Sequence, residues 1–184
     1  MLTTKKGNFG YIKSGRLRES LKTVCMLAIS VSLYYAGILQ TGSNKNVLTY
    51  VAILGVLPAA KFMVNAVLFY KAKGCSEGLK NKLDEVGLTP TFYDMFFTSY
   101  KKNFQISALF YKKGTLIGVT EDAKCEVSEG EKHLSEALSK AGFEVTVKFF
   151  TDEAKFISRM KELSLLEDEG DTGFLFDNIK SLAI

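Results

Sequence analysis

The sequence predicts a mixed α/β (α+β) sheet domain attached to an N-terminal transmembrane hairpin of two helices. Two apolar segments, 23–39 and 47–70, are each long enough to cross or nearly cross a hydrocarbon core of about 30 Å. Seven residues, 40–46, separate them, which is sufficient only for a turn. After the second segment, apolar and aromatic runs typical of strands, one of them strictly alternating (143–149), are interleaved with helical patterns, which is typical of a domain built on a sheet.

Charge is unevenly distributed along the chain. Residues 1–70 carry eight Lys or Arg and one acidic residue (+7), whereas residues 71–184 carry 16 Lys or Arg and 19 acidic residues (−3), which gives the net +4. The basic residues flank the apolar segments, and the turn between them holds only Lys45. The positive-inside rule therefore predicts an integral membrane protein with both termini and the α/β domain in the cytosol, in the plasma membrane if the source is bacterial. A cleaved signal peptide is the alternative, but a second apolar segment follows almost at once.

Four segments are predicted: a basic cytosolic arm at 1–22, the hairpin at 23–70, a linker and helix at 71–88, and the α/β domain at 89–184. Ser76 is expected to cap the helix of the third segment, with Leu79, Leu83 and Val86 on its apolar face. Residues 91–100 are ambiguous between strand and helix, and their aromatic composition favours a strand.

The rest of the domain follows in alternating patterns. Segments 103–111 and 115–120 predict two strands joined by a Gly-containing loop. Ser128 and Glu131 are expected to form a capping box at the start of a helix that ends at Gly142. Strict alternation predicts a strand at 143–149, joined to the preceding strand by a right-handed parallel crossover.

The C-terminal part is predicted as a helix, a loop, a strand and a helical tail. Thr151 or Asp152 is expected to cap the helix, which runs to about Leu166 and buries Ile157, Met160 and Leu163. The acidic run 167–171 is expected to be a loop. Residues 173–176 predict a last short strand, and residues 177–184 a helical turn or more.

Pro58, Lys61 and Asn65 share one face of the second apolar segment, at helical spacing, and are the predicted membrane-interaction residues. A cation inside a membrane is a functional candidate, and the hairpin offers no acidic residue to pair with Lys61. Its partner is then expected to be lipid, a hydroxyl group or another protein chain. The alternative is that Lys61, about 14 Å along the helix from Tyr70, extends to the cytosolic head groups.

The predicted order helix, three strands, helix, strand is similar to the core order of the nuclease-like PD-(D/E)xK family. That family places two acidic residues and a lysine around a divalent metal that orients water. Carried onto this sequence, the resemblance implies Asp122 and Lys124 as the D-x-K pair and Asp94 as the upstream acid. The chain departs from the family because Asp94 lies on the first predicted strand and no Pro precedes it.

The leading functional prediction is a non-enzymatic one: a protein-binding, scaffolding or regulatory subunit of a membrane assembly. Its predicted partners are the lipid bilayer and, through the hairpin, another protein or further copies of this chain. A membrane-tethered metal-dependent hydrolase is one alternative, and an accessory subunit of a transporter or channel is another. No cofactor or metal is predicted, and a nucleic-acid partner is disfavoured because the domain lacks a basic excess.

Overall fold

The computed structural model describes residues 4–99, 102–166 and 172–184. Within them the helices and strands are α1 Tyr11–Thr41, α2 Val47–Lys71, α3 Glu77–Glu85, β1 Phe92–Thr98, β2 Asn103–Lys112, β3 Thr115–Val119, α4 Val127–Lys140, β4 Thr146–Phe150, α5 Glu153–Ser164 and α6 Gly173–Leu182. The described chain divides into two compact units. Residues 12–72 form the hairpin unit, and residues 4–11 with 73–184 form the α/β unit.

The hairpin unit consists of two long apolar helices joined by a short turn. Helix α1 has 31 residues and begins well before the predicted apolar segment, whereas the 25-residue α2 matches its predicted start. The Asn46 side chain caps α2 by accepting a hydrogen bond from the Thr49 N–H. By length and composition both helices are sufficient to cross a membrane.

Small residues form the contact between α1 and α2. A methyl group added at Gly55 would lie 2.7 Å from the Ser30 hydroxyl oxygen, and one added at Gly15 would overlap the Phe69 ring. Helix α2 also buries three alanines spaced seven residues apart: Ala52, Ala59 and Ala66. Absence of bulky side chains lets the two backbones approach closely, as in membrane helix pairs.

The α/β unit is a four-stranded mixed sheet in the order β1-β2-β3-β4. Strands β1, β2 and β3 pair antiparallel, and β4 pairs parallel to β3. This confirms the mixed sheet, the predicted strand at 91–100 over its described part, the β2–β3 hairpin and the parallel crossover. Helices α4 and α6 cover one face of the sheet, and α3 and α5 cover the other.

The first described residues belong to the α/β unit and lie beside β1. The Tyr93 N–H donates to the Gly7 carbonyl oxygen at 2.7 Å, and Lys6 Nζ donates to the Ala183 carbonyl oxygen at 2.7 Å. Gly7 has a φ of +88°, and a Cβ at this position would lie 2.8 Å from the Phe92 ring, so glycine is required there. The sequence predicts one basic arm over residues 1–22, but the structure divides its described part between this contact and α1.

Two predictions in the α/β unit are wrong. Ser128 lies inside α4, which begins at Val127 without a side-chain cap, and Glu131 instead accepts a hydrogen bond from the Phe149 N–H at 2.7 Å. Residues 173–176 form the start of α6 and not a strand, because Leu175 and Ile179, four residues apart, are both buried against the sheet.

The other predicted helix signals are confirmed. Ser76 caps α3, which buries Leu79 and Leu83, and Asp152 caps α5 by accepting from the Ala154 N–H. Helix α5 buries Phe156, Met160 and Leu163 and leaves Ile157 half-buried. Gly142 follows α4 with a φ of +89°, the left-handed conformation expected just after a helix. The acidic run 167–171 lies outside the described residues.

Candidate functional site

A group of polar side chains on the sheet binds the backbone of the segment between α2 and α3. We call Asp94, Gln105 and Glu121 the linker-binding cluster, and residues 73–76 the linker. Asp94 and Gln105 are almost fully buried. The Lys73 N–H donates to Gln105 Oε1 at 2.7 Å, and Gln105 Nε2 donates to the Gly74 oxygen at 3.4 Å. The Cys75 N–H donates to Asp94 Oδ1 at 2.5 Å, and the Ser76 N–H donates to Glu121 Oε2 at 2.9 Å.

Asp94 has an unusual backbone conformation for the middle of a strand. Its φ is +56°, a region that L-residues other than Asn and Asp rarely occupy. The pairing continues on both sides, with Tyr93 opposite Ala108 and Met95 opposite Ile106, so Asp94 stands opposite Ser107. Strained buried conformations persist where the surroundings hold them, and they are concentrated at functional sites.

The strand faces change at this pair. Phe92 and Met95, which are three residues apart, contribute to the same core cluster, whereas strict alternation would place them on opposite faces. Strand β2 changes face in the same way between Ile106 and Ala108. The irregularities at Asp94 in β1 and Ser107 in β2 lie opposite each other, so the pairing register is the same on both sides of them. They place the Asp94 carboxylate next to the linker.

Ser107 adds a second unusual feature at the same position. Its side chain is fully buried, and its Oγ has no hydrogen-bond partner among the described residues. An unsatisfied buried polar atom destabilises a folded protein by about 1–3 kcal/mol. The sheet therefore tolerates both backbone strain and an unsatisfied hydroxyl at one place.

The Cys75 thiol lies within this group and is held in its neutral form. Burial, reinforced by the nearby carboxylates of Glu121 and Asp94, raises the pKa of Cys75 to about 12. A thiol with such a pKa is almost entirely protonated at neutral pH, so it is a poor nucleophile and a poor metal ligand.

A cavity of about 390 Å³ lies at the carboxyl ends of the parallel strands β3 and β4. Its lining residues are Thr120, Glu121, Asp122, Ala123, Thr151 and Glu153. Carboxyl ends of parallel strands are where open α/β sheets commonly bind ligands. Lys82 lies 2.5 Å from Glu153, and Lys73 lies 3.8 Å from Asp122, so lysines already neutralise part of its charge. Among the described residues, no group of three or more His, Cys, Asp or Glu is arranged to hold a metal ion.

The residues of the nuclease-like resemblance have separate contacts. Asp94 accepts the Cys75 N–H, whereas Asp122 Oδ1 accepts the Lys124 N–H at 3.2 Å in a turn. The Lys124 side chain is exposed. A catalytic role for these three residues stays a prediction, and the hydrogen bond from Cys75 assigns Asp94 to the linker.

The predicted membrane residues lie away from the contact between the two long helices. Pro58 and Lys61 are exposed, and Asn65 is half-buried, whereas Ala59 and Ala66 are buried. Lys61 has no ion pair or hydrogen bond within the part of the chain that the structure describes.

Sequence reasoning missed Gln105, Ser107 and Glu19 as buried polar residues. Gln105 and Ser107 alternate with apolar residues, which is the pattern of a strand with one solvated face. Glu19 is 4% exposed and pairs with Lys22 at 2.8 Å and Arg18 at 3.3 Å. Its position as the one acidic residue among many basic ones is the signal that could have found it.

Comparison of the chain with protein families, with curated proteins and with solved structures found no match.

Proposed function

We propose that this is an integral membrane protein whose helical hairpin holds the α/β unit at the cytosolic surface, where that unit binds or organises a protein partner. One observation carries the membrane part of the proposal. The hairpin buries small residues between its helices and exposes large apolar ones, the reverse of a water-soluble helix pair.

The exposed apolar side chains of α1 and α2 support a lipid environment for the helix pair. Of 22 large apolar side chains that are exposed in the described residues, 19 lie in α1 or α2. Only 17% of the most apolar stretch of each helix is buried. Full burial of such a side chain stabilises by about 1.5–3 kcal/mol, and these 19 are 38–86% exposed, so leaving them in water forgoes on the order of 20 kcal/mol.

Chain connectivity supports two crossings of the membrane. Residues 4–11 and residues 73–184 belong to the same α/β unit, on either side of the hairpin in sequence. The Gly7–Tyr93 hydrogen bond requires both to be in the same compartment. A segment that leaves and returns to one compartment crosses an even number of times, and the basic flanks favour the cytosol as that compartment.

Exposed apolar side chains of the α/β unit support a protein partner. Outside α1 and α2, the described residues with such side chains are Leu165 at 87% exposure, Phe174 at 73% and Leu166 at 40%. Exposed aromatic and aliphatic groups of this kind become buried when a partner binds. Contact through Lys61 and Asn65 in the membrane, homo-oligomerisation through the hairpin and service as a transporter or channel accessory subunit are alternatives within this proposal.

Two measurements test the proposal. A version without the native cysteines carries one new cysteine, in the turn as Ser43→Cys or in α6 as Ser181→Cys, and intact cells are treated with a membrane-impermeant maleimide. We expect the turn position alone to react, and the protein to stay with membranes at alkaline pH. Reaction of both positions, or release by alkali, would contradict the membrane proposal.

The partner is tested by purification in mild detergent. We expect the parent chain to be isolated with a stoichiometric protein, and the double variant Leu165→Ser, Phe174→Ser to lose it. Lys132→Ser, Glu136→Ser is the matched control, because both side chains are exposed on α4. A parent protein that is isolated alone would refute the binding role while leaving the hairpin intact.

A further inference from the structure

We infer that Lys61, which lies at the level of Lys22, marks the cytosolic boundary of the hydrocarbon core and binds the phosphate groups of anionic lipids there. This inference rests on the proposed membrane hairpin and names a ligand for it. The ligand is a lipid headgroup rather than the acidic helix of a protein partner.

Contacts between α1 and α2 place the two lysines at one level. The Lys22 ammonium nitrogen lies 5.4 Å from the centre of the Phe62 ring. Phe62 adjoins Lys61 in sequence, so Lys22 and Lys61 lie within about one helical turn of the same level. The Gly55–Ser30 and Gly15–Phe69 contacts on either side agree with this antiparallel register.

That level is also where the charge-free part of α1 ends, and where α2 carries Lys61 between two uncharged segments, 46–60 and 62–70. Residues 23–44 and 46–60 contain no Asp, Glu, Lys or Arg. The charge-free helical lengths are about 28 Å in α1 (23–41) and about 21 Å in α2 (47–60), compared with a hydrocarbon core of about 30 Å. Immediately beyond Lys22, α1 carries Glu19, Arg18 and Arg16. The charge-free length of α1 is close to the thickness of the hydrocarbon core, so the ionisable residues of α1 begin where that core ends.

A position of Lys61 at the bilayer centre is therefore disfavoured. The same register would then bring Lys22, Glu19 and Arg18 into the hydrocarbon, each at a high cost in free energy. Pairing of Glu19 with Lys22 and Arg18 neutralises that carboxylate. Since Glu19 is the one acidic residue of the hairpin unit, Lys61 has no acidic partner there, and its exposed ammonium group is available to a phosphate.

Anionic lipid is the occupant that the charge distribution favours. Residues 12–72 contain seven Lys or Arg and one acidic residue, and six of those seven lie at the level of Lys61 or on its cytosolic side. Anionic headgroups are enriched on the cytosolic face, and each basic residue near the surface contributes a modest attraction to them. An acidic residue of another protein would neutralise one exposed lysine. A layer of anionic headgroups instead attracts all six basic residues at the level of Lys61 and on its cytosolic side.

The first test measures depth and uses the absence of tryptophan from the chain. Met63→Trp and Ile53→Trp place a single tryptophan at exposed positions of α2, about 15 Å apart along the helix axis. In phosphatidylcholine vesicles, lipids brominated near the headgroup should quench the Met63→Trp protein more strongly, and lipids brominated near the chain end should quench the Ile53→Trp protein more strongly. Stronger deep quenching at position 63 would overturn the inference.

The second test measures lipid selectivity in the Met63→Trp protein. Quenching by brominated phosphatidylglycerol is compared with quenching by brominated phosphatidylcholine. We expect Lys61→Leu to lower the preference for phosphatidylglycerol about fivefold, Lys61→Arg to retain it, and Lys45→Leu in the turn to leave it unchanged. Unchanged selectivity in Lys61→Leu would overturn the inference. If that variant also lost a co-purified protein, the ligand of Lys61 would be a protein and not a lipid.

These outcomes separate the inference from the membrane proposal. A membrane-embedded protein with deep quenching at position 63 would refute the lipid site alone. A protein that alkaline carbonate removes from the vesicles would refute the hairpin anchor and the lipid site together.

Discussion

Replacement of Asp94 by alanine should release the linker from the sheet. The carboxylate is 3% exposed and accepts the Cys75 N–H at 2.5 Å. A hydrogen bond to a charged acceptor stabilises by about 1.5–3 kcal/mol, and alanine at a φ of +56° adds strain of about 1 kcal/mol. We therefore expect Asp94→Ala to favour the open linker by about 3 kcal/mol, or about 150-fold in the opening equilibrium.

Cys75 reports this opening directly. In the closed linker its pKa is about 12 and in the open linker it returns towards 9.0, so alkylation at pH 8 proceeds almost entirely through the open form. A protein with alanine at positions 25 and 125 is treated with iodoacetamide, and the modified fraction is followed by mass spectrometry. The expected increase in rate for Asp94→Ala is about 100-fold.

Two further substitutions separate the hydrogen bond from the backbone strain. Asp94→Asn keeps an acceptor and tolerates the left-handed conformation, so its rate should rise by only about tenfold. Asp94→Gly loses the acceptor but relieves the strain, so it should lie between asparagine and alanine. Equal alkylation rates for parent and Asp94→Ala would refute the assignment of Asp94 to the linker.

Three other predictions concern stability. Gly118→Ala would bring a methyl group to 2.8 Å from side-chain atoms of Ile106 and Leu109, so urea unfolding in detergent should show that the free energy of unfolding falls by about 2 kcal/mol. Gly78→Ala is the control: its methyl group meets nothing nearer than 3.7 Å, so it should be neutral or stabilising. Gly55→Leu should lower the thermal unfolding temperature because the new side chain meets Ser30. Leu54→Ala, at an exposed position of the same helix, should leave that temperature unchanged. Equal unfolding temperatures for the parent and Gly55→Leu would refute the close helix contact. Burial raises the pKa of Cys75 and of Tyr93 to about 12, so the folded state favours their neutral forms. Their contribution to stability should be constant from neutral pH to about pH 9 and should be lost as pH rises towards 12; in Cys75→Ser, Tyr93→Phe the fall in stability above pH 9 should be smaller.

Local signals in the sequence predict much of the fold. Aromatic and apolar runs locate the first three strands, and strict alternation locates β4, although β4 begins at Thr146 and not at 143. Ser76 and Asp152 each cap the helix expected of them. These elements are predictable because a cap and an amphipathic stripe act within one segment. The two wrong predictions show the opposite situation: Glu131 is used by the Phe149 backbone rather than by its own helix, and residues 173–176 are helical because of the sheet beneath them. Tertiary contacts decide such cases, and no pattern within the segment reveals them.

The candidate site is less predictable than the fold. The sequence indicates Asp94 only as a possible metal ligand, because its positive φ and its bond to the linker depend on residues far along the chain. The level of Lys61 likewise depends on its neighbours in α1, since spacing within α2 alone leaves both a central and a peripheral position open. Contacts between helices supply what a single helical pattern lacks.

Both ends of the described chain protect the free edge of the sheet. Strand β1 is an edge strand, and its outer side is bonded to Gly7 through Tyr93, to Ala183 through an isolated bridge from Phe97, and to the Ile184 N–H through the Phe96 oxygen. An uncovered edge recruits strands from other molecules and promotes aggregation. During synthesis, residues 4–11 emerge before the sheet exists and residues 183–184 emerge after the rest of it. Until residues 183–184 have been synthesised, the outer side of β1 near Phe96 and Phe97 is open to pairing with strands of other molecules.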